Sequence, residues 1–188
     1  LLNTTPPGAT TPKFGSEQIF TAGTIPMSVA TADLNNDGKP DIIIADYQDN
    51  SVSVLMNTTS TGASVASFAP QQMFLVGLGP HSVAAADINS DGKADIVVAN
   101  YDDDSISVRL NTTPAGASNP TFAAAQNFST GSGPWSIAVA DMDGDGKPDV
   151  VSANYGENSV SVLLNTTSPG SASATFAPQV RLPTDTGP

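Results

Sequence analysis

The chain contains no cysteine. No disulfide can staple it, so packing, hydrogen bonding or a bound ion must hold it together, and the redox compartment stays open. Basic residues are scarce: six Lys and Arg stand against 18 Asp and Glu, for a formal net charge of −12. A chain without a basic patch cannot displace the counterions of a phosphate backbone, so no nucleic acid partner is expected. Apolar runs fall far short of the ~20 residues of a membrane-spanning helix, so no membrane span is expected. Helical periodicity is missing as well, since apolar spacing never follows 3.6 residues for two turns. His81 is the only histidine, and its neighbour Ser82 does not make it part of a triad. With no activated Cys, nucleophile elbow, phosphate loop or free pair of acids, no enzymatic role is expected. Neither an initiator Met nor a signal peptide leads the chain, as expected of a mature product or a fragment. At 188 residues it is nonetheless long enough to bury a core.

What the chain does have is repetition of one acidic loop. Asp141-Met142-Asp143-Gly144-Asp145-Gly146-Lys147-Pro148-Asp149 places oxygen-bearing side chains at positions one, three, five and nine. That spacing suits a hard cation such as Ca2+, which takes roughly 6–8 oxygen ligands. Gly146 permits the sharp turn at position six, and the carbonyl of Lys147 is the natural backbone ligand at position seven. The first six residues match an EF-hand loop, but position twelve is Ser152 rather than Glu. Trp135–Ala140 before the loop and Val150–Ala153 after it read as strands, so the loop belongs to a β-hairpin. The same loop recurs 54 residues upstream, with Asp87, Asn89, Asp91, Lys93 and Asp95, and 54 further upstream, with Asp33, Asn35, Asp37, Lys39 and Asp41. Three Ca2+ sites are expected, one per repeat. Ten of the acids lie in these loops, so the charge is mostly a stock of ligands, and the third loop, with Asp143 in place of Asn, should bind most tightly.

The period of 54 governs the whole chain. Phe14, Phe68, Phe122 and Phe176 keep it, as do Asn3, Asn57, Asn111 and Asn165, and Pro26, Pro80, Pro134 and Pro188. Each repeat holds four strand-like runs, exemplified by Ser82–Ala86, Asp95–Tyr101, Ser105–Asn111 and Phe122–Phe128. Ile96-Val97-Val98 reads as a strand buried on both faces, and the small residues of Ser82–Ala86 suit an innermost position. Four antiparallel strands per repeat describe an all-β chain of β-propeller blades. The boundaries expected are 26–79, 80–133 and 134–188, preceded by a partial blade at 1–25 whose outer strand is Phe14–Ala22.

The Phe of each outer strand, Gly77-Leu78-Gly79-Pro80, Gly131-Ser132-Gly133-Pro134, the three Asp-rich loops and Val97–Tyr101 together resemble FG-GAP repeats, also called VCBS repeats, which build the integrin α-subunit propeller. The resemblance implies Ca2+ on the face opposite the usual ligand-binding face, and service in adhesion or recognition. The family commonly closes about seven blades, and three are seen here. Three cannot close a ring, since propellers typically need 4–8. Self-association is therefore expected, as a dimer or a head-to-tail assembly, or else continuation in a longer array. An extracellular or cell-surface location, in a bacterium, fits the calcium loops and the Lys-poor, Ser/Thr-rich surface.

Met27, His81 and Trp135 share one phase of the repeat, at the channel mouth opposite the calcium loops. Tyr47, Tyr101 and Tyr155, with Asp49, Asp102, Asp103, Asp104, Glu157 and Asn158, lie in loops on that face. This rim is a candidate glycan- or protein-binding surface; otherwise the tyrosines pack between blades and the acids are solvated. The Asn-Thr-Thr sites and Asn127-Phe128-Ser129 match the glycosylation sequon, or else serve turns at strand ends.

Overall fold

The computed structural model of the chain describes residues 1–185. It contains twelve strands in three four-stranded antiparallel sheets, each in the order of the chain. The first sheet is β1 (Pro26–Ala32), β2 (Asp41–Asp46), β3 (Ser51–Leu55) and β4 (Gln72–Leu75). The second is β5 (Pro80–Ala86), β6 (Asp95–Asn100), β7 (Ser105–Arg109) and β8 (Gln126–Ser129). The third is β9 (Pro134–Ala140), β10 (Asp149–Asn154), β11 (Ser159–Leu163) and β12 (Val180–Pro183). A single 3-10 turn, Tyr101–Asp103, follows β6. These are three successive propeller blades, and among the described residues they do not close on themselves. The fourth proline of the 54-residue register, Pro188, lies outside the described residues.

Innermost strands neighbour one another, β1 beside β5 and β5 beside β9. Their alanines leave room for direct contact: Ser28 Oγ accepts from Val83 N, and Ser82 Oγ from Ile137 N, both at 3.3 Å. The core lies between sheets. Ile43, Ala45, Val52 and Val54 of the first blade meet Val83, Ile96 and Val98 of the second. The opposite face of the second blade sets Val97, Ile106 and Val108 against Val150, Leu163 and Ala174 of the third. β6 is therefore buried along its whole length. Each fully buried Val or Ile contributes about 1.5–3 kcal/mol.

The outer strands are shorter than the sequence suggests. Phe68, Phe122 and Phe176 make isolated bridges to Asn57, Asn111 and Asn165, and the regular ladder begins only at Gln72, Gln126 and Val180. Pro70 and Pro178 remove a backbone donor in between. In the second blade, Arg109 takes the Ala123 carbonyl with Nη1 at 2.7 Å. Likewise β7 stops at Arg109, and Asn111 belongs to the bridge. The expected outer strand at Phe14–Ala22 is not a strand: among the described residues it has only the bridge Asn3–Phe14, and no third strand lies beside it. Side chains hold the segment instead. Gln18 brackets Ala66 through both its amide atoms, at 3.0 and 2.7 Å, and Phe20 meets Phe68 edge-on at 4.9 Å.

Candidate functional site

Each acidic loop joins the innermost strand of a blade to the second. Asp33, Asp87 and Asp141 at position one fold the loop over themselves. Asp87 accepts from Asp91 N and Gly92 N at 3.0 and 2.8 Å; Asp33 and Asp141 receive the equivalent Gly38 N and Gly146 N at 2.7 and 2.9 Å. Positions four and six are left-handed, with φ of 52° at Ser90 and 85° at Gly92 in the second loop. A glycine at position six meets that demand without strain. Position five, at Asp37, Asp91 and Asp145, accepts from the backbone N–H of Lys39, Lys93 and Lys147.

Position nine does a second task that the spacing does not reveal. Asp95 accepts from Ile88 N through Oδ2 at 2.8 Å and from Asn111 N through Oδ1 at 2.7 Å. Asp41 clips Leu34 N and Asn57 N, and Asp149 clips Met142 N and Asn165 N, in the same way. All three carboxylates are buried. Burial pushes Asp41 and Asp95 above the usual carboxylate range, Asp95 to about 6, although the two backbone donors pull each back down.

Position three separates the loops. Asn35 donates through Nδ2 to Ala117 O, and Asn89 to Ser171 O, each at 2.9 Å and each 82 residues downstream. Gly116 N and Gly170 N donate back to the carbonyls of Asn35 and Asn89 at 2.7 Å. The sequon residues complete the joint: Asn111 Nδ2 donates to Leu34 O and Ala94 O, and Asn165 Nδ2 to Ile88 O and Pro148 O. Asn111 and Asn165 are buried, so these two sequons are joints between blades. Asn89 Oδ1 is also buried, and it has no hydrogen-bond partner among the described residues. In the third loop, carboxylate oxygens of Asp141, Asp143 and Asp149 lie within 4.8 Å of one another. Asp145 stays outside this group and turns to Lys147 Nζ at 3.3 Å.

This phasing is also how the family profiles meet the chain. The FG-GAP-like repeat profile matches residues 7–44, 33–98 and 88–152, and the FG-GAP repeat profile matches 133–173. The chain belongs to the FG-GAP repeat family. No curated protein matches it. The FG-GAP-like matches 33–98 and 88–152 each run from one acidic loop through the next.

The other end of these FG-GAP blades carries the aromatic residues. Register shifts between Pro26 and Ser28, between Pro80 and Ser82, and between Ala153 and Asn154 leave Met27, His81 and Trp135 as the extra residues of β-bulges. Bulges re-aim a side chain. Met27, His81 and Trp135 line one pocket of about 290 Å³ with Ile25, Tyr47 and Tyr101. Tyr155 is not part of that lining; its ring lies 5.4 Å from Trp135. Tyr47 and Tyr101 do pack between blades: a Cβ on Gly79 would stand 3.1 Å from Tyr47, and one on Gly133 3.0 Å from Tyr101. Most rim acids clip the crossings between blades. Asp103 receives Leu78 N and Asp104 receives Gly133 N, both at 2.7 Å, whereas Glu157 pairs with Arg181 of its own blade at 3.1 Å. Asp49 receives Thr24 N. Asp102 differs, taking the Tyr47 hydroxyl at 3.3 Å.

Proposed function

We propose that the chain is a calcium-braced FG-GAP module of an extracellular or cell-surface protein, with a structural, assembly or adhesion role that involves no catalysis. The observation that carries this reading is the unpartnered, buried Oδ1 of Asn89 inside a loop rich in carboxylates. A buried acceptor left unmade costs about 1–3 kcal/mol, and a hard cation would satisfy it. The convergence of Asp141, Asp143 and Asp149 supports the same chemistry in the third loop. Oxygen-only donors suit Ca2+ rather than a soft metal. Asp33, Asn35, Asp37 and Asp41, and their equivalents 54 and 108 residues on, would hold the ion with the carbonyls of Lys39, Lys93 and Lys147. When bound, it would neutralise the clustered carboxylates and stiffen the loop.

Because the first two loops also bind the next blade, ion binding there would be coupled to blade packing. The exposed end of the third blade supports a partner of the same kind. Met142 is 54% exposed, whereas its equivalents Leu34 and Ile88 are 1% and 0% exposed beneath a following blade. A further repeat, from a longer chain or a second copy, would cover it. The test is thermal unfolding of fully exchanged protein in calcium and in chelator, with calorimetric titration for stoichiometry. Calcium should raise the melting temperature and fill three sites. An unchanged melting curve would overturn the reading.

A further inference from the structure

The pocket at the mouth opposite the loops combines three observations that blade packing does not require. First, the bulge phase carries three different large residues, Met27, His81 and Trp135, although the flanking Pro and Ser repeat in all three blades. Tyr47, Tyr101 and Tyr155 by contrast are constant, as a packing role between blades demands. Second, Ile25 has a φ of 54°, where the equivalent Gly79 and Gly133 have 63° and 61°. A β-branched residue in the left-handed region is strained, and such strain gathers at functional sites. The Ile25 side chain forms part of the pocket wall. Third, His81 is only 8% exposed and its Nδ1 pairs with the Trp135 carbonyl at 2.9 Å, while its Nε2 is buried without a partner among the described residues.

We propose that this pocket binds a small organic ammonium ion. A carbonyl partner fixes the proton on Nδ1, so in the neutral ring Nε2 offers a lone pair to an N–H donor. Trp135 and Tyr101 stand edge to face with centroids 5.7 Å apart, and Trp135 covers His81 at 3.7 Å. Aromatic faces attract cations, most strongly at Trp. Asp102, held by the Tyr47 hydroxyl, adds a negative charge at the edge, and the net charge of −12 draws cations toward the whole molecule. An anion is repelled by the same field. A sugar needs several polar partners, and this wall supplies mainly rings, a thioether and an aliphatic chain. A volume of about 290 Å³ limits the ligand to a few carbons around the charged nitrogen.

Trp135 is the only tryptophan, so its fluorescence reports on the pocket directly. The full chain in calcium is titrated with n-butylammonium chloride, n-butanol and N-acetylglucosamine at constant ionic strength. Butylammonium should give a saturable change at least tenfold tighter than butanol. His81→Phe keeps a ring beside Trp135 but removes Nε2, and should weaken butylammonium at least fivefold. Ile25→Gly should weaken it as well while leaving the melting temperature equal or higher, because the strain is released. Absence of a saturable butylammonium response, an equal response to butanol, or tighter binding of the sugar would overturn the proposal. So would a lower melting temperature for Ile25→Gly, which would make that residue a packing element.

Discussion

The second and third acidic loops have the same length, the same bond from the position-six N–H to the position-one carboxylate and the same buried clip at position nine, yet they differ in what lies over them. The second is roofed by the linker of the next blade, with Asn89 held to Ser171 and Asn165 to Ile88. The third is open, with Met142 and Asp143 exposed. Position three follows that difference. An amide has an oxygen for the loop and a nitrogen for the linker, whereas a carboxylate has only acceptors and faces no linker here. The Asn–Asp variation among the loops thus records which loop is a joint, in addition to how much charge it offers an ion.

The largest effect expected tests what the two loops share. Asp95→Ala would strand the N–H groups of Ile88 and Asn111, each at about 1–3 kcal/mol, for a total of about 2–6 kcal/mol. Urea unfolding should show this loss in chelator as well as in calcium, because the clip needs no ion. A loss confined to calcium would reduce Asp95 to a ligand.

The joint itself comes next. Asn89→Asp would set a carboxylate against the Ser171 carbonyl in place of a donor. In chelator it should destabilise the protein by about 1–3 kcal/mol. Equal stability to the parent would mean that the linker contact carries nothing.

Much of this architecture is legible in the sequence because the repeat is strict. The period of 54, the hairpin loops, the order of strands and the two-faced burial of Ile96-Val97-Val98 all follow from local composition. What escapes is whatever acts across blades. No local window connects Asn35 to Ala117 or Asn89 to Ser171, so an amide read as a weaker ligand is also a donor to the next blade. The sequons at Asn111 and Asn165 hide the same way. One signal was available: a side chain that breaks the repeat in the last loop alone, at Asp143, marks a change in surroundings.

A smaller effect of opposite sign lies in the first blade. Asp46 stands where the other blades have Asn100 and Asn154, whose Nδ2 groups hold Ser105 and Ser159. The matching Ser51 Oγ is buried without a partner among the described residues. Burial raises the Asp46 carboxyl above its ordinary value, so its ionisation opposes folding. That cost is absent below the unfolded value of 3.8 and complete once pH exceeds the raised folded value. Asp46→Asn gives Ser51 a donor, lets the amide oxygen accept from Gly23 N, and removes the charge. It should stabilise by about 1–2 kcal/mol at pH 7, and its advantage should shrink as pH falls toward 4. A constant advantage would assign the gain to the new hydrogen bond alone.

The smallest effect returns to the open loop. Asp143→Asn makes the third loop match the second at position three, but no described linker waits for its new amide. Asp143 Oδ1 accepts from Asp145 N at 3.1 Å, a bond that the Asn oxygen can keep. Stability in chelator should therefore stay within about 0.5 kcal/mol of the parent, as for surface changes away from a packed joint. Calcium affinity at that loop should fall, because one of its carboxylates is lost and affinity follows ligand charge. Calorimetric titration against the parent reads both quantities separately. A stability loss as large as that of Asn89→Asp would mean that position three is set by the loop itself, and that the neighbouring blade has no part in choosing between amide and acid.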